Sequence, residues 1–381
     1  MIKSRNILIT GGAGFIGSNL SLALLARGHS VRVLDNLSPQ IHGEDPLKSP
    51  LYQSIKDKVD FTRGDMRNES DLESCLKSVD TVVHLAAETG TGQSMYSIKH
   101  YIDVNISGTG LLLEAIANSK YSIKRLVVAS SRAVYGEGKY HCEVDGYVYP
   151  EARTSVDMVN GDFEVHCPYC SGHVRLVPTD ESTPVRPSSI YGITKLNQEQ
   201  MCLTIGRAKK ISTIAYRYQN VYGPGQSLSN PYTGILSIFS TRLRNERDIN
   251  IFEDGLESRD FVHIDDVVSA TVAGIESPNE IIEVFNVGSG VPTNVLTVAN
   301  SLQQLFQTTV PIKISGQFRV GDIRHNLADL SHIKSALDWR GPKITFDEGI
   351  LGFVNWTRNE TIQPDRYEDS MSELAAKGFL K

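Results

Sequence analysis

Short apolar runs of strand length alternate with longer amphipathic segments through the first half of the chain. The runs are NILIT, SVRVLD, TVVHLAA and RLVVASS, and helix-length segments occupy 14–27 and 98–119. This alternation predicts βαβ units and therefore a parallel sheet. Because the runs are rich in β-branched residues and show little polar alternation, helices should cover both faces of the sheet. The pattern predicts a doubly wound α/β fold.

The composition of the sequence changes after about residue 220. From there it consists of short elements rich in Gly, Pro and Asn, the first of which is VYGPGQSLSNPYTG. We therefore predict a first domain over 1–220 and a smaller, C-terminal domain over 221–381. Part of this second domain should return to the sheet near 259–290, where RDFVHIDDVV and EVFNVGSG have strand character.

Charge and cysteine content exclude several classes of protein. The 381 residues include 38 Lys and Arg against 44 Asp and Glu, a formal net charge of −6, so no basic field attracts a nucleic-acid backbone. No apolar run reaches the roughly 20 residues of a membrane span. Since the strand NILIT follows the N-terminus closely, we expect no secretory leader and a cytoplasmic protein. Five cysteines are too few for a disulfide scaffold of this length.

The segment GGAGFIG lies directly after the first predicted strand and before the first predicted helix. Gly11 would allow the tight turn, Gly14 a close approach of the backbone to a pyrophosphate, and Gly17 close packing of helix on strand. Phe15 and Ile16 open that helix. The order strand, turn and helix predicts a Rossmann-type dinucleotide site.

Acidic residues at strand ends select the cofactor. Asp35 ends the second strand, where its carboxylate could accept both hydroxyls of the adenosine ribose and would repel a 2′-phosphate. Asn36 follows and provides no compensating cation. Asp65 and Met66 follow the third strand, where Asp65 could contact the adenine amino group. We expect NAD rather than NADP.

Tyr191 and Lys195 are one helical turn apart in YGITK. A nearby cation lowers the pKa of a phenol, so Tyr191 could act as a general base. Ser131 ends the fifth strand at the sheet edge where α/β proteins bind ligands, and it could hydrogen-bond the same substrate oxygen.

GGAGFIG, SSRAVYG and YGITK together strongly resemble the extended short-chain dehydrogenase/reductase family, in particular its nucleotide-sugar epimerases and dehydratases. The resemblance covers nearly the whole chain. It implies that Ser131, Tyr191 and Lys195 are catalytic. It adds Leu85, Ala86, Ala87 and Asn105 to the NAD site, and assigns the first domain to NAD and the second to a nucleotide sugar. The residues that it implies for holding the nucleotide sugar are Ser131, Asn220, Arg259, Arg319 and Asp322, with Arg324 as a rival for Arg319.

The two residues after Ser131 reduce the number of reactions that the family resemblance allows. Family dehydratases resemble one another in carrying an acidic pair there, and decarboxylating members carry a glutamate at the second position, whereas this chain has Arg132 and Ala133. The resemblance therefore implies C4 epimerisation through a 4-keto sugar. A 4,6-dehydratase or 4-ketoreductase, and more remotely a non-catalytic NAD-binding protein, are the alternatives.

An insertion over 137–180 departs from the family. It carries Cys142 and Asp145, then Cys167 and Cys170 in HCPYCSGH, a spacing typical of a zinc knuckle. We predict a structural zinc on these four residues, with His141, His166 and His173 as rival fourth ligands and reduced thiols as the alternative. The excess of acidic residues in this insertion argues against nucleic-acid binding.

The insertion and the GDIRH run at 321–325 resemble enzymes acting on dTDP-L-rhamnose, while the rest of the sequence leaves UDP-hexoses open. The family resemblance also implies a homodimer in which the helices near 98–119 and 188–208 pair with their symmetry mates.

Overall fold

The computed structural model describes residues 4–118 and 121–381. Its strands are β1 Asn6–Thr10, β2 Ser30–Asp35, β3 Asp60–Arg63, β4 Thr81–His84, β5 Arg125–Ser131, β6 Tyr140–Cys142, β7 Gly146–Val148, β8 Val174–Leu176, β9 Ser212–Tyr218, β10 Asn220–Tyr222, β11 Ile249–Ile251, β12 Ser258–His263, β13 Ile282–Val287, β14 Pro292–Asn294 and β15 Ile312–Ile314.

The α-helices are α1 Phe15–Ala26, α2 Pro39–His42, α3 Pro50–Ile55, α4 Glu69–Leu76, α5 Thr91–Ser94, α6 Ile98–Tyr101, α7 Gly108–Asn118, α8 Ser155–Val159, α9 Ile190–Lys209, α10 Ile235–Arg244, α11 Ile264–Glu276, α12 Val295–Phe306, α13 Ser331–Ala336, α14 Phe346–Asn359 and α15 Tyr367–Ala376. A π-helical turn, Ile102–Ser107, joins α6 to α7, and the last residue of the predicted helix 98–119 lies outside the described residues.

Seven strands form the central sheet in the order β3-β2-β1-β4-β5-β9-β13, and each neighbouring pair is parallel. The predicted doubly wound, Rossmann-type sheet is confirmed. The strand order reverses between β1 and β4, which creates a crevice at the carboxyl ends of these strands.

Alternate residues of the strands supply two separate cores. On β1, Ile7 and Ile9 pack on one face with α1 and α11, whereas Leu8 packs on the other with residues of α4, α7 and α9. Both faces are therefore covered, which explains why the strands lack the polar alternation of a half-exposed sheet.

The residues after β9 build a smaller unit beside the crevice. It contains the sheet β10-β12-β14 and the parallel pair β11-β15, and its core holds Phe239, Leu302 and Phe353 from α10, α12 and α14. Of the two segments with strand character near 259–290, β13 joins the central sheet beside β9 and β12 lies in the small sheet.

The insertion folds as a three-stranded antiparallel sheet in the order β7-β6-β8, between β5 and α9. The C-terminal residues, which read as a weak helix or tail, form α15 and a final segment whose Lys381 exchanges two backbone hydrogen bonds with Phe318. Among the described residues, none of the helices is long and apolar enough to cross a bilayer.

Candidate active site

A cavity of about 520 Å³ lies at the carboxyl ends of β1, β2, β4 and β5 and extends to the smaller unit. It contains most of the residues predicted for cofactor, catalysis and substrate. Those that line it are Gly11, Gly14, Phe15, Ile16, Gly17, Asp35, Asn36, Asp65, Met66, Leu85, Ala86, Ala87, Ser131, Tyr191, Lys195, Asn220, Arg259, Arg319 and Asp322.

The glycine loop forms a cradle at the start of α1. Gly11 has φ +69°, and a Cβ built there would lie 2.7 Å from the backbone nitrogen of Ala86. A Cβ on Gly17 would lie 2.5 Å from the carbonyl oxygen of Gly11, so neither position tolerates a side chain. Gly14 provides no side-chain cap and the first turn of α1 has no acidic residue. The free N–H groups at this helix start therefore suit an anionic pyrophosphate.

Asp35 is held beside this cradle. Its Oδ2 accepts a hydrogen bond from the Ala13 N–H at 3.0 Å and its Oδ1 from the Leu37 N–H at 2.8 Å. Burial raises the pKa of Asp35, opposed by the Leu37 N–H and by His42. A buried carboxylate with spare lone pairs at the end of β2 fits a ribose diol, so the donor set fits NAD.

Asp65 is more heavily engaged. Arg67 donates to both of its oxygens, at 2.8 and 2.7 Å, and Asn36 donates to Oδ2 at 3.4 Å. The Arg67 hydrogen bond lowers the pKa of Asp65 to about 2, against the effect of burial. A permanently ionised Asp65 can still accept an amino-group hydrogen bond through its remaining lone pairs.

Asn105 is fully buried behind the cavity wall and does not line the cavity. Its amide accepts from the Glu88 N–H, and donates to the Glu88 carbonyl and to the Thr194 hydroxyl. It thus ties the segment after β4 to the helix that carries Tyr191 and Lys195.

Ser131 and Tyr191 both line the cavity. Ser131 caps a short 3-10 turn by accepting the Ala133 N–H at 3.2 Å, and the Tyr191 N–H donates to the Ser94 hydroxyl at 3.0 Å. Burial raises the pKa of the Tyr191 phenol, opposed first by the Ser131 hydroxyl and then by the Arg132 charge. The expected lowering by Lys195 is therefore not what the structure shows.

Lys195 is buried, and its Nζ donates to the Gln198 side chain at 2.5 Å. Gln198 in turn donates to the His84 ring at 3.0 Å and to the Thr109 hydroxyl at 2.7 Å. Burial lowers the pKa of Lys195 to about 8 and that of His84 to about 3, so the histidine is neutral. This hydrogen-bond network holds the Lys195 side chain in place.

Two arginines and an aspartate of the smaller unit line the same cavity as Ser131 and Tyr191. Arg319 donates to Asp322 Oδ2 through Nε and a terminal nitrogen, at 3.0 and 2.7 Å. Arg259 uses its terminal nitrogens on the carbonyls of Ser258, Ile323 and Arg324. Two arginines that converge on one wall can bind a diphosphate with paired donors.

Arg324, the predicted rival of Arg319, is outside the cavity lining. It is fully buried and bonds to three acidic residues, Glu164, Glu253 and Asp254. Its charge is neutralised within the protein, so Arg319 is the arginine of this loop that faces the cavity.

Two further residues of the site were missed as binding groups. Arg132, considered only as the absence of an acid, lines the cavity, and burial together with the Arg259 charge lowers its pKa to about 10. Glu257 is buried with an unpartnered Oε2, and burial raises its pKa to about 7. Glu257 lies two residues before Arg259 on a strand-like segment, and alternate residues of a strand point to the same face. This spacing is the feature of the sequence that could have identified Glu257.

The four predicted metal ligands, Cys142, Asp145, Cys167 and Cys170, come together in the insertion, apart from the cavity lining. Within the described part of the chain, the rival histidines are not among the residues whose ligand atoms converge there.

Comparison with known proteins agrees with this arrangement. The profile of the NAD dependent epimerase/dehydratase family matches residues 7–153 and 166–288. The chain belongs to this family. The unmatched residues between the two ranges, 154–165, lie in the insertion, and the rest of the insertion falls within the matched ranges.

Members of this family are similar over nearly the full length. A dTDP-L-rhamnose 4-epimerase of Burkholderia thailandensis is 37% identical over 364 residues, covering 94% of this chain and 97% of the relative. A putative UDP-glucose 4-epimerase of Methanocaldococcus jannaschii is 30% identical, covering 93% and 98%. The crystal structure of UDP-glucuronic acid 4-epimerase from Bacillus cereus in complex with UDP-glucuronic acid and NAD gives a TM-score of 0.75 at 27% identity, covering 93% and 99%.

Proposed function

We propose that this protein catalyses NAD-dependent C4 epimerisation of a nucleoside-diphosphate sugar through a 4-keto intermediate. The observation that carries the proposal is that one cavity brings together Ser131 and Tyr191, the glycine cradle with Asp35, and the Arg319–Asp322 pair. The protein is therefore an isomerase.

The chain's own residues handle the proton and hold the substrate. Tyr191 accepts the proton of the sugar 4-hydroxyl as a phenolate, the form that the Arg132 charge favours against the effect of burial. Ser131 hydrogen-bonds the same oxygen and orients it. Bound NAD supplies the hydride chemistry at C4, accepting two electrons with the hydrogen and returning them. The glycine loop, Asp35 and Lys195 are the residues that would hold it.

Inversion requires that the sugar present its other face before the carbon–hydrogen bond is remade. Tyr191 then returns its proton to the oxygen, so atoms and electrons balance without net oxidation. Arg319 and Arg259 would hold the diphosphate while the sugar turns, because paired guanidinium donors bind phosphate oxygens strongly. Most of the binding energy should therefore come from the nucleotide and diphosphate.

The alternatives lack support at named positions. A 4,6-dehydratase needs an acid and a base after Ser131, and Arg132 and Ala133 occupy these positions. A 4-ketoreductase would oxidise a reduced cofactor in each turnover. It would then have to exchange the oxidised cofactor for a reduced one. A non-catalytic NAD-binding protein gives no reason for Ser131, Tyr191 and Lys195 to line one cavity.

We propose dTDP-L-rhamnose as the first substrate to test and UDP-hexoses as the second, in view of the named relatives. The test is incubation of the pure protein with dTDP-, UDP- and GDP-sugars, followed by chromatographic separation of the products. Formation of a C4 epimer without added cofactor supports the proposal. A 4-keto-6-deoxy product, or no conversion of any sugar nucleotide, would refute it.

Purified protein is expected to carry NAD, because a cycle without net oxidation gains from retaining its cofactor. Acid-released nucleotide should be NAD or NADH, and Asp35→Asn should weaken its retention by about tenfold, the scale of a hydrogen bond to a charged group. Asp60→Asn, at an exposed carboxylate paired with Arg32, is the matched control. Release of NADP would contradict the assignment of Asp35.

We also propose a homodimer formed through α6, the π-helical turn and α9. Three isoleucines on these neighbouring elements, Ile98, Ile102 and Ile193, are 43, 40 and 42% exposed. Ile98 and Ile102 are four residues apart and share a helix face. An apolar face of this kind fits the pairing of these helices between two copies.

Ile193→Glu is expected to shift the protein from dimer to monomer, because it places a charge in the apolar contact. Sedimentation velocity at micromolar concentration measures the change. Ile314→Glu, at an exposed position of β15, is the control and should leave the assembly unchanged. A wild-type monomer with full activity would contradict the proposal.

A cytoplasmic location completes the proposal. All five cysteines are free, which fits a reducing compartment where thiols persist.

A further inference from the structure

We propose that Cys142, Asp145, Cys167 and Cys170 form a structural Zn²⁺ centre that fixes the insertion against the substrate side of the cavity. Each of these residues offers one ligand atom, and the four atoms lie within 4.8 Å of one another. They come from two segments of the insertion that are 22 or more residues apart in sequence. A centre here would join both ends of the insertion.

The distances exclude a covalent bridge and lie close to the spacing of ligands around a tetrahedral metal. Cys142 Sγ lies 3.5 Å from Cys170 Sγ, far beyond the roughly 2.05 Å of a disulfide. Asp145 Oδ2 lies 3.1 Å from Cys167 Sγ and 3.5 Å from Cys142 Sγ. Tetrahedral bonds of about 2.3 Å to sulfur and about 2.0 Å to oxygen would place such neighbours about 3.5 to 3.8 Å apart.

The backbone around the ligands has the form of two tight turns. Cys142 ends β6 and Asp145 lies in the hairpin turn before β7. In the second turn, the Cys167 N–H donates to the Gly172 carbonyl at 2.9 Å and the Ser171 N–H to the Cys167 carbonyl at 3.0 Å, with Ser171 at φ 59°. Both turns fold back so that their side chains face one point.

Two of the three histidines that rivalled Asp145, His141 and His166, have other partners. The His141 ring packs edge-on against Tyr147, with ring centroids 5.5 Å apart. His166 Nε2 is paired with Asp162 at 2.8 Å. Three thiolates and one carboxylate are a donor set that suits zinc, which binds both ligand types.

The apolar core of the insertion is small. Met158 and Phe163 pack with Phe318, and a second cluster has seven residues, Tyr140, Cys142, Val148, Val165, Cys167, Val174 and Leu176. Two of these are ligands of the proposed centre. Segments with so small a core usually need a metal or a disulfide for stability, because burial alone does not offset the entropy of ordering the chain.

The stabilised insertion contacts the loop that carries Arg319 and Asp322. Arg153 bonds to both Glu253 oxygens at 2.8 Å, and its NH2 donates to the Asp322 carbonyl at 3.2 Å. The backbone N–H of Arg324 donates to Glu137 at 2.9 Å. Because these contacts join the insertion to this loop, disorder in the insertion would also disturb the position of Arg319 and Asp322 in the proposed diphosphate site.

The residues proposed to hold NAD, the glycine loop and Asp35, line the cavity and contact none of the insertion residues named above. Loss of zinc should therefore weaken sugar-nucleotide binding while leaving NAD bound. This kinetic consequence rests on the proposed function, whereas metal content does not.

The experiment compares the wild type with Cys167→Ser/Cys170→Ser, with Asp145→Ala as a milder change. Cys75→Ser, at a buried cysteine outside the insertion, is the matched control. Elemental analysis should give one zinc per chain in the wild type and the control, and a loss in the double variant. The double variant should also have a lower Tm, unchanged NAD content and a KM for the sugar nucleotide raised about tenfold, as expected when a positioning contact is lost.

Absence of zinc from the wild type, or zinc retained by the double variant, would overturn the metal centre whatever the activity. If the double variant does not fold, Asp145→Ala decides the matter, because it leaves all three cysteines in place and should lower zinc affinity. Loss of zinc with unchanged Tm and KM would overturn the role assigned to the centre. Normal zinc content in a protein without epimerase activity would refute only the proposed function.

Discussion

Replacing Tyr191 with Phe is expected to lower kcat by about 10²-fold or more, the scale of a lost general base. The phenol lines the cavity with Ser131, and the Arg132 charge is close enough to oppose the pKa rise caused by burial. Phe removes the proton acceptor and keeps the ring that packs there. Initial rates with the sugar nucleotide identified in the substrate survey measure the effect.

Tyr147→Phe is the matched control for this substitution, because Tyr147 is 62% exposed and lies in the insertion. Its rate should equal that of the wild type. The Tyr191→Phe protein should still release NAD on acid treatment, since the cradle is intact. A rate within a few-fold of the wild type would show that another group takes the proton.

Replacing Arg319 with Gln is expected to raise KM for the sugar nucleotide by about 30-fold or more with little change in kcat, since a charged hydrogen bond contributes about 1.5–3 kcal/mol. Burial alone would raise the pKa of Asp322, but Arg319, Arg259 and Arg132 hold it at about 2. Without Arg319 the carboxylate loses its paired donor and its charge opposes the diphosphate.

Arg27→Gln serves as control, at a half-exposed arginine that follows the carboxyl end of α1. The double substitution Arg319→Gln/Asp322→Asn separates the two contributions. It should recover part of the affinity if the unpaired carboxylate repels the diphosphate. An unchanged KM in Arg319→Gln would remove this arginine from the substrate site.

Patterns of residues close together in the sequence predicted the fold and the glycine loop of the proposed cofactor site. The β-branched runs identified the buried parallel strands, and glycines at 11, 14 and 17 between a strand and a helix identified the cradle. These features depend on residues close in sequence. Their backbone requirements, such as the positive φ of Gly11, leave few other residue types possible.

Contacts between distant segments were harder to predict. Arg324 looked equivalent to Arg319 in sequence, but its partners Glu164, Glu253 and Asp254 lie about 70 or more residues away, and they hold it outside the cavity. The lowering of the Tyr191 pKa that was expected from Lys195 is also absent. Spacing along a helix does not show that Gln198 engages the ammonium group and that burial dominates the phenol.

The measurement that tests the central claim most directly uses dTDP-L-rhamnose labelled with deuterium at C4, or the UDP-hexose found to turn over, in unlabelled water. The proposed reaction moves hydrogen from C4 and returns it within the site, so the C4 epimer should retain the deuterium. Mass spectrometry and NMR of the product give the label and its position. Loss of deuterium to solvent during inversion, or a product unchanged at C4, would contradict the account.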